Sequence, residues 1–370
     1  MSSIPLTPVD TYYMSLIKSP FRLALVVVAF FALGGCSRPS EVAIMTKLEA
    51  GSVVGSSEVN TAKLFDEDHR PPVLVVKAFD DAWDTLKSKT AFEAVDKAGI
   101  RFLITSHPSN CALAIAEAAE AAGVLTIITG STTDALSGKD DMILRVVPDV
   151  RSEQEWQAAR IVEKGHTSVL VVRDIDNEAY TKPAFEHFSK ALPGVAIRET
   201  KLSIKSFDSE SVRAAMAEKP YDLCYILVGS YNSAAGAVAQ LSQSVAPAVP
   251  ILFTPWMKTP AIVDTAGSAL ALASMPSHYP PLGKNPAVDA YVGRFKKRFG
   301  YSPTAVSLEV YSALFLLDDA FRAGARTPEA VKRHILARGT FDTSLGRVDL
   351  DANGDSFASF YMIEKIAAEF

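Results

Sequence analysis

Short apolar runs alternate with longer amphipathic stretches along most of this chain, and this alternation constrains its fold more than any other feature. Several runs are hydrophobic at consecutive positions, as in strands buried on both faces of a sheet. The pattern predicts an α/β fold of βα units around parallel sheets. Strands are predicted at 42–45, 73–79, 102–105, 124–129, 168–172, 195–200, 223–228 and 251–254. Helices are predicted at 83–98, 111–122, 152–164, 180–192, 209–217, 232–243, 285–299 and 304–323, with a further one starting at Pro328.

Composition excludes several classes of protein. The chain has 370 residues, of which 48% are hydrophobic and 21% charged, so it is long and apolar enough for one large or two medium globular domains rather than a disordered chain. Its 37 basic and 42 acidic residues give a net charge of −5, with no long run of one sign. We therefore expect no nucleic-acid partner.

The N-terminal segment has the layout of an export signal. Lys18 and Arg22 precede the apolar stretch 23–33, which is too short to span a bilayer and ends at Gly34-Gly35-Cys36. Residues 33–36 resemble a bacterial lipobox, which predicts a signal peptide over 1–36 and a lipid on the sulfur of Cys36. A core helix or simple anchor ending by chance in a cysteine is the alternative.

Two further features of this segment bear on export. Ser37, rather than an aspartate, favours sorting to an outer membrane. Translation from Met14 instead of Met1 would give a signal of ordinary length.

Motifs for covalent or metal chemistry are missing from the sequence. It contains no Walker A loop, GxGxxG, GxSxG or HExxH, and its six histidines show no ligand spacing, so we expect neither an enzyme nor a cofactor or metal. Residues 349–354 match the start of a calcium loop, but Phe360 stands where a bidentate carboxylate is required. Cys111 and Cys224 lie in apolar contexts and are predicted to be buried thiols rather than a disulfide.

Proline and glycine mark the places where the chain changes direction. Pro148-Asp149 interrupts an apolar run before a new helix, and 275–281 is dense in proline, so both are predicted crossovers between lobes. Near the C-terminus, 347–350 and 356–363 are predicted to form a hairpin about Asn353-Gly354.

Two loops rich in small hydroxyl residues follow predicted strands and precede predicted helices. They are 105–110, which includes Ser109, and 129–133, which includes Ser131 and Thr132. At the carboxyl edge of a parallel sheet such loops present backbone N–H groups and hydroxyl donors to an anion or carboxylate. Helix capping alone would also select these residues, but two such loops on neighbouring strands favour a ligand.

Several segments of the sequence resemble the periplasmic solute receptors of the branched-chain amino-acid binding family. Residues 76–84 look like that family's second strand and acidic turn, 98–104 are similar to the strand that follows, and 341–355 look like its closing hairpin. The resemblance covers most of 41–363 and is a distributed pattern rather than one signature.

The resemblance implies the type I periplasmic binding fold, which is α/β with two Rossmann-like parallel-sheet lobes joined by three crossovers. Lobe I would comprise residues 37–150 and 277–342, and lobe II residues 151–276 and 343–370. A ligand would be held in the cleft between the lobes as they close about a hinge.

The resemblance also implies a set of ligand-binding residues. In lobe I, Ser109, Ser131 and Thr132 would bind a carboxylate. In lobe II, Tyr180 and Ser230 or Tyr231 would complete the pocket.

The sequence departs from the family at Trp256, where amino-acid receptors usually carry an acid for the ligand's ammonium group. The Trp256 indole could instead stack on an aromatic acid or surround a cation, or it could simply pack under the lobe. Asp176 or Glu178 could replace the missing acid. The loop 51–55 also lacks the aromatic residue often found there.

The expected function is an exported, lipid-anchored solute-binding protein of the periplasm or cell envelope. It would capture a small carboxylate-bearing ligand, an amino acid or a related molecule, and present it to an ATP-binding-cassette permease. The membrane would be contacted only through the lipid. An envelope lipoprotein of the same fold that serves as ligand sensor, scaffold or enzyme activator is the alternative, while a hydrolase is disfavoured by the missing nucleophile and metal motifs.

Overall fold

A computed structural model describes residues 38–49, 52–229, 233–357 and 359–370. The predicted signal peptide and Cys36 lie outside the described residues. Within the described part of the chain, no helix is both long and apolar enough to cross a membrane.

The first sheet is parallel, with strand order β2-β1-β3-β4-β5. Its strands are β1 (Ser40–Thr46), β2 (Leu74–Asp80), β3 (Phe102–Thr105), β4 (Leu125–Ile128) and β5 (Ile143–Arg145). The helices that alternate with them are α1 (Val53–Asp68), α2 (Thr85–Lys97) and α3 (Ser109–Ala121). The sheet and its helices form lobe I.

The second sheet repeats this winding, with strand order β13-β10-β9-β8-β6-β7. Its strands are β6 (Ser168–Asp174), β7 (Ala196–Leu202), β8 (Leu223–Leu227), β9 (Ile251–Phe253), β10 (Ala273–Ser277) and β13 (Tyr361–Ile363). All are parallel except β13, which pairs antiparallel with β10. Its helices are α4 (Val150–Glu163), α5 (Glu178–Ala191), α6 (Ser209–Ala217), α7 (Ser233–Val245) and α8 (Ala261–Ala266). Together they form lobe II.

A C-terminal set of elements returns to lobe I before the chain ends in lobe II. It consists of α9 (Pro286–Phe299), α10 (Ala305–Arg322), α11 (Pro328–Arg338) and the hairpin β11 (Thr340–Thr343) with β12 (Gly346–Asp349). The prediction of an α/β fold with two parallel-sheet lobes is confirmed.

Strand periodicity explains how the lobe I sheet is covered on both faces. Val42 and Ile44 of β1 pack with α1, α9, α10 and α11 on one face, whereas Ala43 and Met45 pack with α2 and α3 on the other. Successive side chains of a strand point to opposite faces, so a strand between two helical layers must be apolar at every position. This is why the strands appear as continuous apolar runs.

The predicted strands and helices are found with ends shifted by a few residues. Helix α1 and strand β5 were not predicted. Strand β10 occupies part of the proline-dense segment, and Pro276 itself pairs with Met362 of β13.

The predicted C-terminal hairpin is wrong. Strand β12 pairs with β11 before it, not with the segment after Asn353-Gly354. Between the described residues of the two predicted arms only a single bridge forms, from Leu350 to Ser356.

The third crossover lies further along the chain than residue 343. Leu345, Val348 and Leu350 pack in the lobe I core, so a boundary at 343 would cut a hairpin that lobe I buries. The turn that follows is also tied to lobe I, because Arg145 of β5 donates to Asp355 at 2.5 Å. We therefore propose that the crossover follows Asp355.

Removing the carboxylate of Asp355 should destabilise lobe I. The Arg145 guanidinium is almost fully buried, and Asp355 is its only carboxylate partner among the described residues. Because Asp355→Ala strands a buried charge, we expect it to lower the free energy of unfolding by about 3 kcal/mol, measured by urea denaturation. Asp342→Ala, at an exposed position of the hairpin, is the control. Equal stability of the two variants would contradict the assignment of this turn to lobe I.

Candidate functional site

The carboxyl ends of the strands in both sheets meet at a cleft between the lobes. In doubly wound sheets this edge is where loops diverge and ligands bind. The cleft contains a cavity of about 20 Å³, which is room for about one water molecule. Lobe I lines it with Val54, Trp83, Ser106, Pro108, Gly130, Thr304, Ala305 and Val306, and lobe II with Gly229, Trp256, Lys258 and Thr259.

Trp83 reaches the cavity from a strained turn after β2. Ala82 and Trp83 have φ angles of 48° and 54°, a left-handed conformation that side chains with a Cβ seldom adopt. The turn is held by Asp80 and Asp81, whose carboxylates accept hydrogen bonds from the backbone N–H groups of Ala82 and Trp83 at 3.0 and 3.1 Å. The Nε1 donor of Trp83 is buried and has no partner among the described residues.

Trp256 forms the facing wall in lobe II. Its indole makes edge-to-face contacts with Tyr180 and His278, at centroid distances of 6.4 and 5.8 Å. It therefore both packs in the lobe II core, as one interpretation of the sequence held, and lines the cavity.

Tyr180 is fully buried behind Trp256 and does not line the cavity. Its hydroxyl donates to Oε1 of Glu153 at 2.8 Å. Burial raises the pKa of Tyr180 well above its ordinary value, and the nearby Glu153 carboxylate raises it further.

The hydroxyls of Ser109 and Ser131 lie side by side next to the cavity. Oγ of Ser131 donates to Oγ of Ser109 at 3.0 Å, which leaves the Ser109 proton available to another acceptor. Thr132 is also buried, and its Oγ1 has no partner among the described residues. The structure thus brings two of the three predicted hydroxyls together, those of Ser109 and Ser131, although their neighbours Pro108 and Gly130 form the cavity wall itself.

Close backbone approach fixes two glycines in this wall. A Cβ on Gly130 would lie 2.2 Å from the carbonyl oxygen of Ser106, and a Cβ on Gly229 would lie 2.4 Å from Nδ2 of Asn177. Both contacts are far shorter than van der Waals distance. Neither position accepts a larger residue without displacing its neighbour.

Direct hydrogen bonds join the lobes beside the cavity. The Asn110 side chain donates to the carbonyl of Asp176 at 2.9 Å and accepts from the N–H of Ala179 at 3.1 Å. The N–H of Asn110, in the first turn of α3, donates to Oδ1 of Asn177 at 3.3 Å. One of the free donors of this helix N-terminus is therefore taken by lobe II.

No acidic side chain is found among the described residues that line the cavity. The two carboxylates considered as substitutes point elsewhere, because Asp176 accepts from Ser203 at 2.9 Å and Glu178 lies 3.5 Å from Arg173. Lys258 lines the cavity but forms a buried ion pair with Glu369 at 2.8 Å. These groups leave no unpaired charge at the wall.

A buried acid, Glu58 of α1, lies near the cleft on the lobe I side. Burial raises its pKa to about 8, and the hydroxyls of Ser106 and Thr46 lower it in part. Oδ2 of the neighbouring Asp81 accepts a hydrogen bond from Nδ1 of His107 at 2.6 Å. Lobe I therefore contains a layer of buried polar side chains next to the cleft, and Glu58 in this layer is protonated at neutral pH.

Ser230 and Tyr231, predicted in the loop after β8, lie outside the described residues. Trp83 and Thr259 were not predicted as site residues. The signal for Trp83 was its position directly after a strand and an acidic turn, but it was assigned to the following helix. Thr259 has a buried Oγ1 without a partner among the described residues, and no sequence pattern marks it.

Comparisons with known proteins agree with this geometry. A family model described as periplasmic binding protein matches residues 46–364. A search of curated protein sequences finds no match.

Among solved structures, a leucine binding protein, LivK, from Thermotoga maritima is similar to this chain with 21% identity and a TM-score of 0.77, over 87% of this chain and 94% of that one. The substrate binding protein LivJ from Streptococcus pneumoniae, in complex with isoleucine, has 15% identity and a TM-score of 0.78, over 88% and 95%. A solute binding protein of an ABC transporter from Rhodopseudomonas palustris, in complex with 3,4-dihydroxybenzoic acid, has 16% identity and a TM-score of 0.77, over 88% and 92%.

Replacing Glu58 by glutamine should change how stability depends on pH. The folded protein holds a proton on Glu58 up to about pH 8, whereas the unfolded chain releases it near 4.5. Stability therefore falls as pH rises between these values. We expect Glu58→Gln to reduce that fall by up to about 1.4 kcal/mol per pH unit, measured by urea denaturation across the window.

Glu117→Gln, at an exposed position of α3, is the control for loss of a carboxylate. Parallel stability profiles for Glu58→Gln and the wild type would show that Glu58 is not protonated in the folded protein.

Proposed function

Because this chain belongs to the periplasmic binding protein family, we propose that it captures a small carboxylate-bearing molecule, an amino acid or a related compound, for an ATP-binding-cassette importer. The observation that carries the proposal is the cavity between the lobes, where lining residues from both sides have buried polar atoms without partners among the described residues, Nε1 of Trp83 and Oγ1 of Thr259. Buried polar groups are normally paired. A ligand that accepts from them would satisfy both lobes at once, and no covalent step is needed.

The lobe I hydroxyls are suited to hold the carboxylate. Ser109 accepts from Ser131 and so keeps its own proton for the ligand, and Thr132, the residue after Ser131, has a buried hydroxyl with no partner in the described part of the chain. In the proposed complex, the N–H of Trp83 adds a further donor. Hydrogen bonds to a charged acceptor are the stronger kind, so a few such donors orient a small anion.

The rest of the lining favours an apolar or aromatic body. Trp83, Trp256, Val54 and Val306 surround the cavity, and none of its described lining residues is acidic. A free ammonium group would therefore find no carboxylate partner among them. Relatives of the same fold hold both isoleucine and 3,4-dihydroxybenzoic acid, and the two indoles favour the aromatic acid for this chain.

Entry of such a ligand requires the lobes to move apart. The cavity of about 20 Å³ is much smaller than either of those ligands. We infer that the bonds of Asn110 to lobe II break as the cleft widens, and that the ligand replaces part of them. The importer would then distinguish the lobe arrangement that the ligand stabilises.

The proposed location is the periplasm or cell envelope, with the mature chain held to a membrane by lipid on Cys36. Export follows from the family, whose members are periplasmic binding proteins. The lipid is supported by the apolar stretch and Gly34-Gly35-Cys36 of the sequence.

A second candidate is an envelope lipoprotein of the same fold that acts as a ligand sensor, scaffold or enzyme activator. Direct bonds between the lobes and the small cavity favour it, because they let the protein hold its shape through its own contacts. Under this alternative, an envelope protein rather than a solute would be the main partner.

A ligand screen should separate the two candidates. We expect the mature domain to gain thermal stability with at least one of leucine, isoleucine, benzoate or 3,4-dihydroxybenzoate, since a molecule that binds only the folded state raises its melting temperature. For that ligand, Ser109→Ala should weaken binding by about 1–3 kcal/mol in calorimetry, because it removes a donor to the carboxylate.

Ser131→Ala is the matched variant, and it should have a smaller effect because it leaves the Ser109 hydroxyl in place. Unchanged affinity in Ser109→Ala would remove this residue from the site. Failure of all four solutes to shift the melting temperature would favour the scaffold or enzyme-activator candidate.

The lipid anchor is tested separately from the ligand. In bacterial cells we expect the wild-type protein in the membrane fraction, and Cys36→Ala outside it, because the variant lacks the sulfur that carries the lipid. Ser37→Ala keeps the thiol and should stay with the membrane. Recovery of Cys36→Ala in the membrane fraction to the wild-type extent would contradict the anchor.

A further inference from the structure

A second cavity lies in lobe II, at the end of the sheet opposite to the cleft. Its volume is about 260 Å³. Three of its lining residues lie where strands begin: Leu223 is the first residue of β8, Pro250 precedes β9, and Ala273 is the first residue of β10. The cleft residues Gly229 and Trp256 instead follow the ends of β8 and β9. Strand β8 has five residues, so at about 3.3 Å per residue the two cavities are roughly 15 Å apart.

The floor of this cavity is apolar. Helix α4 contributes Ile161 to it and the sheet contributes Leu223 and Leu252, which are at most 4% exposed, and Met362 of β13 lies beside them. The antiparallel strand β13 extends the sheet past β10, and α4 does not fill the space above its edge. Small-molecule sites are concave and mostly apolar, with volumes that usually start at about 300 Å³, slightly above that of this cavity.

Charged residues at the mouth are already paired within the protein. Arg160 lies 2.8 Å from Glu163, Lys164 lies 2.9 Å from Glu364, and His166 lies 3.3 Å from Asp222. A charged guest would have to displace one of these partners, whereas a neutral guest would not. The pairing therefore leaves no unpartnered charge among these side chains to attract a charged guest, which favours an uncharged molecule.

One buried polar atom of the lining lacks a partner. Gln157 lines the cavity, is fully buried, and uses its Nε2 to donate to Glu153 at 3.1 Å, while its Oε1 has no partner among the described residues. This oxygen is shielded from solvent. We infer that the Gln157 side chain turns toward a guest and accepts one hydrogen bond from its N–H or O–H group.

We propose that the lobe II cavity is a second binding site, which takes a neutral, mostly apolar molecule of one or two rings that carries a single N–H or O–H donor. A dry cavity of about 150 Å³ lined by apolar side chains accepts benzene, so about 260 Å³ suits a bicyclic molecule of the size of indole. This site is separate from the carboxylate site of the cleft and does not depend on it.

Fluoroindole is the probe, and fluorine NMR of the mature domain is the measurement. We expect saturable binding by the wild type, and at least tenfold weaker binding by Ala271→Trp, since Ala271 is an exposed residue of the lining from which a tryptophan side chain reaches the cavity. Val162→Trp, at an exposed position of α4 outside the lining, is the matched control and should bind as the wild type does. Fluorobenzothiophene, which has a similar shape and no donor, should bind severalfold more weakly.

Crystals of the wild-type protein soaked with bromoindole locate the site independently of any variant. Anomalous density from bromine in the lobe II cavity is the expected result, also if Ala271→Trp fails to fold. No saturable binding up to millimolar fluoroindole, equal binding by Ala271→Trp and the wild type, or bromine density only in the cleft would each overturn the proposal. Trp256→Ala separates the two sites, because it alters the cleft and should leave fluoroindole binding unchanged.

Discussion

The structure of the cleft depends on which buried polar groups at the carboxyl edges of the two sheets have hydrogen-bond partners. A buried donor or acceptor without a partner costs free energy comparable to a lost hydrogen bond. Here some groups are paired across the cleft, as Asn110 is with Asn177 and the backbone of lobe II, while others, such as Nε1 of Trp83, have no partner within the described ranges. The first kind holds the lobes together and the second kind gives a guest something to bind.

A second buried network ties the cleft to the hinge. Oε1 of Glu153, just after the first crossover, accepts hydrogen bonds from Tyr180 and from Gln157. Burial raises the pKa of Glu153 to about 7, and the charge of His278 lowers it in part. His278 follows the second crossover and binds Glu309 of lobe I at 2.9 Å. Groups from both lobes therefore meet where the chain crosses, and the Trp256 wall rests against them.

The sequence predicted the strands well because most are buried on both faces. A strand such as 102–105 is covered by helices on both faces and must therefore be apolar at every position. Few other secondary-structure elements require a short continuous apolar run. Helix α1 was missed since it begins in a glycine-containing segment and contains serine, asparagine and threonine, which are weak helix formers. Strand β13 was misassigned because its partner, β10, lies far away in the sequence and contains a proline.

The site was harder to predict than the fold. The loops around Ser109 and Ser131 could be located, since hydroxyl residues directly after strands indicate the carboxyl edge of a sheet. Trp83 could not, because its position in the cavity depends on a left-handed turn that local propensity disfavours. The carboxylates of Asp176 and Glu178 were plausible by position alone, and only the three-dimensional contacts show them engaged by Ser203 and Arg173.

The bonds between Asn110 and lobe II have a consequence for selectivity. They are made by protein atoms alone, so the juxtaposed arrangement of the lobes does not in itself report an occupied cleft. The free energy of binding for a molecule that widens the cleft is only the difference between the free energy of the contacts it makes and that of the contacts it removes. Under the proposed function, molecules that resemble the solute but bind weakly would fall below that threshold, and the bonds of Asn110 would thereby filter which molecules the protein retains.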